Sequence, residues 1–276
     1  MNLVVQGRAL ARSELAHLQA LAGGTEVVPL GAEAVRIAGA QPTPRIAQYC
    51  AAHALDYAWV PDGRRLADLR LVAMDMDSTL VTIESIDEMG DLLGIRERIA
   101  EVTARAMRGE MDYAQALRER VALLAGLEEA HLEHICEARM HLSPGAERLV
   151  SRCRTLGIRT LLVSGGFSFF TEWLKARLGL DAVHSNRLEI VRGRLTGRIL
   201  GEIVNGDSKA ARLAAEIAAM GIGAHQALAV GDGANDIPMM AVAGVSVAYR
   251  AKPAVRERAT HALDHSPLDA VLNLYV

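Results

Sequence analysis

Three short, mostly apolar runs each end abruptly in polar or glycine residues, and this constrains the fold more than any other feature of the chain. Leu69-Arg70-Leu71-Val72-Ala73-Met74 ends in Asp75, Ile158 to Val163 in Ser164-Gly165-Gly166, and Ala227 to Val230 in Gly231-Asp232-Gly233. Near-continuous apolar strands suit a parallel sheet whose two faces are both covered by helices. Ligands of such open α/β sheets bind beyond the carboxyl ends of the strands. The runs therefore predict a Rossmann-like α/β fold and nominate one site at three strand ends.

The segments around these strands predict two further units. From Ser85 to about His141 the pattern is helical, with Asp112 and Gln115 spaced as a capping box for a helix through Leu124. Some 60 residues is long for a βα connection; the insertion reads as a helical cap, at about 84–142, over the strand ends. Ser143-Pro144-Gly145 reads as an N-cap with proline at the first helical position. Arg187 to Leu200 alternates around Arg192-Gly193 as a β-hairpin does. Before the first apolar run, strands at Leu3–Gln6, Glu26–Leu30, Ala34–Ile37 and Tyr57–Val60 and helices at Ser13–Leu21 and Pro44–Leu55 give the order β-α-β-β-α-β, a ferredoxin-like α+β plan. Pro61-Asp62-Gly63 marks the junction. The expected organisation is thus a small unit over 1–62 and a larger one over 67–276.

Charge and composition narrow the function. The net charge is −3 over 276 residues, with no basic arm or stripe, which argues against nucleic acid as a partner. No apolar run reaches the roughly 20 residues of a membrane span, and no signal peptide is evident. Cys50, Cys136 and Cys153 form no close pair; they read as small core residues in a reducing cytoplasm.

The strand ends carry the chemistry. In Asp75-Met76-Asp77-Ser78-Thr79, one carboxylate can act as a nucleophile and the other can handle a proton, although a solvated acidic turn has the same composition. Gly231-Asp232-Gly233-Ala234-Asn235-Asp236 adds two acids and an amide; with Asp75, Asp232 could hold a hard cation such as magnesium. Ser164-Gly165-Gly166 permits close backbone approach to a phosphate, and Lys209 offers a point positive charge. A carboxylate attacking a phosphate dianion meets strong repulsion, so the acids need the cation, Lys209 and the serine beside them. His131, His134 and His141 lack a third convergent ligand, and Met74, Met76, Met239 and Met240 read as core packing.

The four segments, in this order, resemble the motifs of the haloacid dehalogenase superfamily over about residues 70–250, and most nearly those of its phosphoserine phosphatases. The resemblance implies magnesium-dependent hydrolysis of O-phospho-L-serine through an aspartyl-phosphate, the last step of serine biosynthesis. Asp75 would attack phosphorus. Asp77 would protonate the leaving serine oxygen and then activate water. Magnesium would lie on the Asp75 and Asp232 carboxylates and the Asp77 carbonyl, with Asp236 in support. Ser164, Gly165 and Lys209 would hold the phosphoryl group, with Asn235 facing it. Glu84 would meet the substrate ammonium and Arg120 its carboxylate, with Tyr113 as a wall. Helix spacing alone does not choose between Arg118 and Arg120; the family register selects Arg120. The N-terminal unit resembles an ACT-like ligand-binding module, which adds a homodimer or an amino-acid-binding regulatory role to the expectations. A related phosphatase for another small phosphomonoester, such as phosphoethanolamine, is the enzymatic alternative.

Overall fold

The computed structural model describes residues 1–276. The first unit comprises strands β1 (Asn2–Gln6), β2 (Glu26–Pro29), β3 (Ala34–Ala38) and β4 (Asp56–Val60) and helices α1 (Arg12–Ala22) and α2 (Pro44–Ala52). Its antiparallel sheet has the order β2-β3-β1-β4. Side chains alternate across β1. Leu3 and Val5 face α1 and α2, whereas Val4 joins the large core of the rest of the chain.

The second unit follows a turn at Asp62-Gly63. Its strands are β5 (Leu71–Met74), β6 (Arg159–Phe167), β7 (Ala182–Val191), β8 (Arg194–Leu200), β9 (Ala227–Gly231), β10 (Val245–Tyr249) and β11 (His261–Leu263). They form one seven-stranded sheet, ordered β11-β10-β9-β5-β6-β7-β8, parallel except for the β7–β8 hairpin. Every residue of β5, β9 and β10 is buried, which explains the unbroken apolar character of β5 and β9.

Four helices make the insertion: α3 (Ser85–Leu92), α4 (Arg96–Met107), α5 (Tyr113–Leu123) and α6 (Glu129–His134), followed by a wide turn over Ile135–Arg139. Its two ends are tied by a bridge between Val81 and Leu142 and by the Ser143 N–H donating to the Leu80 carbonyl at 2.9 Å. The capping box of α5 is present, with Gln115 N–H donating to Asp112 at 2.7 Å and Asp112 N–H to Gln115 at 3.1 Å. The hairpin props the insertion from below: Gly126 N–H donates to Leu195 O at 2.8 Å, and Leu195 N–H returns to Leu127 O at 2.9 Å.

Helices α7 (Ala146–Thr155), α8 (Ser168–Leu178), α9 (Gly206–Ala219), α10 (Ile237–Val242) and α11 (Pro253–Arg256) complete the fold. Two expectations are corrected. Helix α7 is capped at Gly145, not Ser143: Ser143, Pro144 and Gly145 form the preceding turn, and Ala146 N–H donates to Ser143 O at 3.0 Å. Strand β6 does not stop at Val163 but runs on to Phe167. Its pairing with β7 slips between Val163↔His184 and Phe167↔Asn186, so four residues on one strand span two on the other. Ser164-Gly165-Gly166 is therefore a bulge inside a strand, a device that re-aims backbone at a site.

The units are joined by buried polar contacts. The Asp56 carboxylate, 4% exposed, accepts N–H bonds from Asp264, His265 and Ser266 at 2.8, 3.0 and 2.8 Å. Cys50, Cys136 and Cys153 are buried free thiols, with burial pushing each pKa up to about 12. Met74, Met76, Met239 and Met240 are buried in the cores. No helix is long and apolar enough to cross a membrane.

Candidate active site

The ends of β5, β6 and β9 and the start of α9 converge. Asp75, directly after β5, is 5% exposed; its Oδ1 accepts the Met76 N–H at 2.7 Å and meets Lys209 Nζ at 2.8 Å. Lys209 lies in the first turn of α9, whose N-cap is Asn205, and is fully buried. Its Nζ also meets Asp236 Oδ1 at 2.7 Å. The other Asp236 oxygen accepts the Gly233 N–H at 3.1 Å. Burial disfavours the Lys209 ammonium, but Asp75 and Asp236 outweigh it and hold its pKa above the ordinary value.

Asp75, Asp232 and Asp236 offer carboxylate oxygens that all lie within 4.8 Å of one another. Burial, with repulsion from Asp75, pushes Asp232 up to about 6 and Asp236 up to about 7. Clustered carboxylates that resist ionisation together are the donor set a hard divalent cation satisfies. The residues therefore fit a metal.

Asp77 is turned away from this cluster. Its Oδ1 accepts the Ser85 N–H at 2.9 Å and its Oδ2 the Ser85 hydroxyl at 3.1 Å. Burial, then Glu84 and Asp75, raises its pKa well above the ordinary carboxylate value, with Ser85 opposing. A buried carboxyl whose protonated form is favoured in this way can serve as a general acid. The next residue, Ser78, has φ +54, a left-handed conformation rare outside glycine, and its hydroxyl donates to Glu84 at 2.7 Å.

The bulge of β6 fixes the remaining wall. Gly166 N–H donates to the Ser164 hydroxyl oxygen at 2.8 Å. A Cβ on Gly166 would lie 2.7 Å from Met76 Cε and 2.8 Å from Asp77 Oδ2, and one on Gly165 would strike the Tyr113 hydroxyl. Only glycine leaves this space free. The insertion thus sits down on the strand ends. Arg120 lies on the inward side of α5, half-buried, and draws down the pKa of Glu84, although burial leaves that carboxyl raised overall. Arg118, by contrast, is exposed. Asn235 lies half-buried in the short turn Ala234–Asp236 at the rim.

Three residues in this assembly escaped the sequence reading. Thr79 donates to Asp232 at 3.0 Å, and Ser85 holds Asp77. Asn186, 1% exposed on β7, donates to the Gly165 carbonyl at 2.7 Å and accepts the Val204 N–H at 2.8 Å, tying the bulge to the segment that leads into α9. Asn186 is flanked by His184, Ser185 and Arg187, so its sequence context does not set it apart.

Residues 72–241 match the haloacid dehalogenase-like hydrolases, and residues 3–47 match a domain of unknown function, DUF4072. The chain is 48% identical over 215 residues to a phosphoserine phosphatase of Polaromonas sp., covering 76% of this chain and 91% of that protein. The crystal structure of a probable phosphoserine phosphatase from Vibrio cholerae, in unliganded form, superposes with TM-score 0.88 at 37% identity, over 99% of this chain and 85% of that one. A phospho-aspartyl intermediate analogue of a phosphoserine phosphatase superposes with TM-score 0.70 at 36% identity, over 75% of this chain and 99% of that one. With the turn after β5, the bulge, the buried lysine and the acid cluster converging as described, the chain belongs to the haloacid dehalogenase-like hydrolases, in the phosphoserine phosphatase family.

Proposed function

We propose that this chain hydrolyses O-phospho-L-serine to L-serine and phosphate, with Asp75 as nucleophile. The observation that carries the reading is the division of labour between two carboxyls. Asp75 is an ion-paired carboxylate whose contacts fall on Oδ1, which leaves Oδ2 to attack phosphorus. Asp77 lies two residues further on, and burial, then Glu84 and Asp75, raise its pKa well above the ordinary carboxylate value. Asp77 protonates the departing serine oxygen as the Asp75 aspartyl-phosphate forms. It then takes a proton from the water that hydrolyses this intermediate. Lys209, the Ser164 hydroxyl and the backbone at Gly165 hold the phosphoryl oxygens, with Asn235 at the rim. Magnesium, held by the Asp75 and Asp232 carboxylates and the Asp77 carbonyl with Asp236 behind them, would offset the negative charge that builds on the transferring group. The oxygen-only donor set supports this choice of ion.

Arg120 and Glu84 supply recognition, the guanidinium taking the substrate carboxylate and Glu84 its ammonium. We place residues 1–62 and 67–276 as separate domains, with the cap at about 84–142. The buried free thiols support a cytoplasmic setting; a homodimer is part of the same proposal, and sedimentation tests it. The experiment is phosphate release from L-phosphoserine and from phosphoethanolamine by the parent chain and by Arg120→Ala. The variant is expected to lose phosphoserine turnover by about 100-fold or more, the loss of a charged contact worth roughly 3 kcal/mol, while its turnover of phosphoethanolamine, which has no carboxylate, stays near the parent's. Equal loss on both substrates, or no phosphoserine turnover by the parent, would overturn the assignment.

A further inference from the structure

Tyr113 reaches further into the active site than a wall requires. It is the first residue of α5, held at the helix start by the Asp112–Gln115 capping box, and its ring packs against the large core. Its hydroxyl comes down on the β6 bulge: a Cβ on Gly165 would strike that oxygen and lie 3.5 Å from Tyr113 Cζ. The Gly165 carbonyl already accepts from Asn186 Nδ2 at 2.7 Å. The Tyr113 hydroxyl itself has no hydrogen-bond partner in the chain. Tyrosine hydroxyls usually find a partner when buried. This one stands uncommitted over the backbone that holds the phosphoryl group.

The surrounding charges fix what this group can do. Burial pushes the phenol pKa up, Lys209 and Arg120 oppose the rise, and Asp75 and Asp77 add to it. The group is therefore an O–H donor at neutral pH. The same four residues set the hydroxyl between the phosphoryl end of the site, at Asp75 and Lys209, and the recognition end, at Arg120. In phosphoryl transfer the charge spreads over three equatorial oxygens. Lys209, Ser164 and the Gly165 backbone approach them from α9 and β6. Tyr113 is the hydroxyl that the insertion brings to the same bulge.

We propose that the Tyr113 hydroxyl is a further catalytic group, donating a hydrogen bond to the phosphoryl oxygen seated on the Gly165 backbone. The proposal rests on the phosphatase reading of the site, and no proton is transferred: the phenol keeps its hydrogen while charge builds on the oxygen it touches. The insertion then contributes to the chemical step as well as to recognition through Arg120 and Glu84.

Tyr113→Phe tests this, because it keeps the ring in the core and deletes only the donor. The parent and the variant are compared in kcat on L-phosphoserine, phosphoethanolamine and p-nitrophenyl phosphate, and in inhibition by orthovanadate, a mimic of the transferring phosphoryl group. The variant is expected to lose about 10- to 100-fold in kcat on every ester the parent cleaves, the effect of one hydrogen bond to a charged group. Its inhibition constant for orthovanadate is expected to rise by a similar factor, a change that altered packing of the substrate's amino-acid end would not produce. Parent-like kcat on p-nitrophenyl phosphate together with parent-like vanadate inhibition would overturn the proposal. So would a loss confined to phosphoserine, which would put the hydroxyl on the substrate carboxylate beside Arg120. A parent that cleaves p-nitrophenyl phosphate but not phosphoserine would refute the substrate assignment alone, and the p-nitrophenyl phosphate and vanadate comparisons would still decide the role of Tyr113.

Discussion

Lys209 is the one side chain whose removal leaves two buried carboxylates without a counter-charge. Its Nζ lies 2.8 Å from Asp75 and 2.7 Å from Asp236, and it is fully buried. At an effective dielectric of about 20, each contact carries roughly 6 kcal/mol of Coulomb energy before desolvation. Desolvation of the ammonium cancels much of this, and breaking one side of a buried pair costs a net 3–5 kcal/mol or so. Lys209→Met keeps the volume and removes the charge. In urea denaturation with chelator present, it is expected to lose about 3–5 kcal/mol, equivalent to a melting point lowered by roughly 6–20 °C. Adding Asp236→Asn to Lys209→Met is expected to recover part of that loss, because one orphaned carboxylate is gone. A loss under about 1 kcal/mol, the scale of an exposed ion pair, or no recovery in the double variant, would refute the account of Lys209 as the counter-charge of this cluster.

Three further outcomes follow from the geometry. Asp232 and Asp236 have folded pKa values raised to about 6 and about 7, so their contribution to stability is present at acid pH and is lost as pH rises from about 4 to 7. The gain in melting temperature on adding magnesium is therefore expected to grow over that window; a gain that shrinks toward neutral pH contradicts this. His261 runs the other way. Burial and then Arg64, whose Nη1 donates to His261 Nε2 at 2.7 Å, lower its pKa to about 4, so stability of roughly 3 kcal/mol is lost as pH falls from about 6.5 to 4. His261→Gln is expected to remove that component, read as the difference between the two denaturation profiles. Asn186→Leu leaves the Gly165 carbonyl and the Val204 N–H unpaired and frees the bulge. Phosphatase turnover is expected to fall by about 10- to 100-fold, since displacements near 1 Å at a reacting group have that effect; unchanged turnover would remove Asn186 from the site's support.

Much of this was legible in the chain because the physics is local. Burial on both faces writes itself into β5 and β9 as unbroken apolar runs, and Asp112 with Gln115 announces the start of α5. What escaped depends on partners distant in sequence. Strand β10 pairs with β9, which ends 14 residues before it begins, and its Val245–Tyr249 run was not read as a strand. The continuation of β6 through two glycines arises from its slipped pairing with β7. Ser143-Pro144-Gly145 carries a capping signature, yet Gly145 in the left-handed region displaces the helix start to Ala146. The anchoring of Asp77 by Ser85 needs the insertion to fold back on its own stem. Spacing alone left Arg118 and Arg120 equivalent; the packing of Ala116, Leu117 and Val121 into the core turned Arg120 inward.

The central claim is that Asp75 carries the phosphoryl group. Acid quenching during turnover of radiolabelled L-phosphoserine, followed by peptide mapping, tests it directly. An alkali-labile, hydroxylamine-sensitive label on the peptide containing Asp75 is expected, absent in Asp75→Asn. A label on any other residue, or undiminished turnover by Asp75→Asn, would contradict the mechanism.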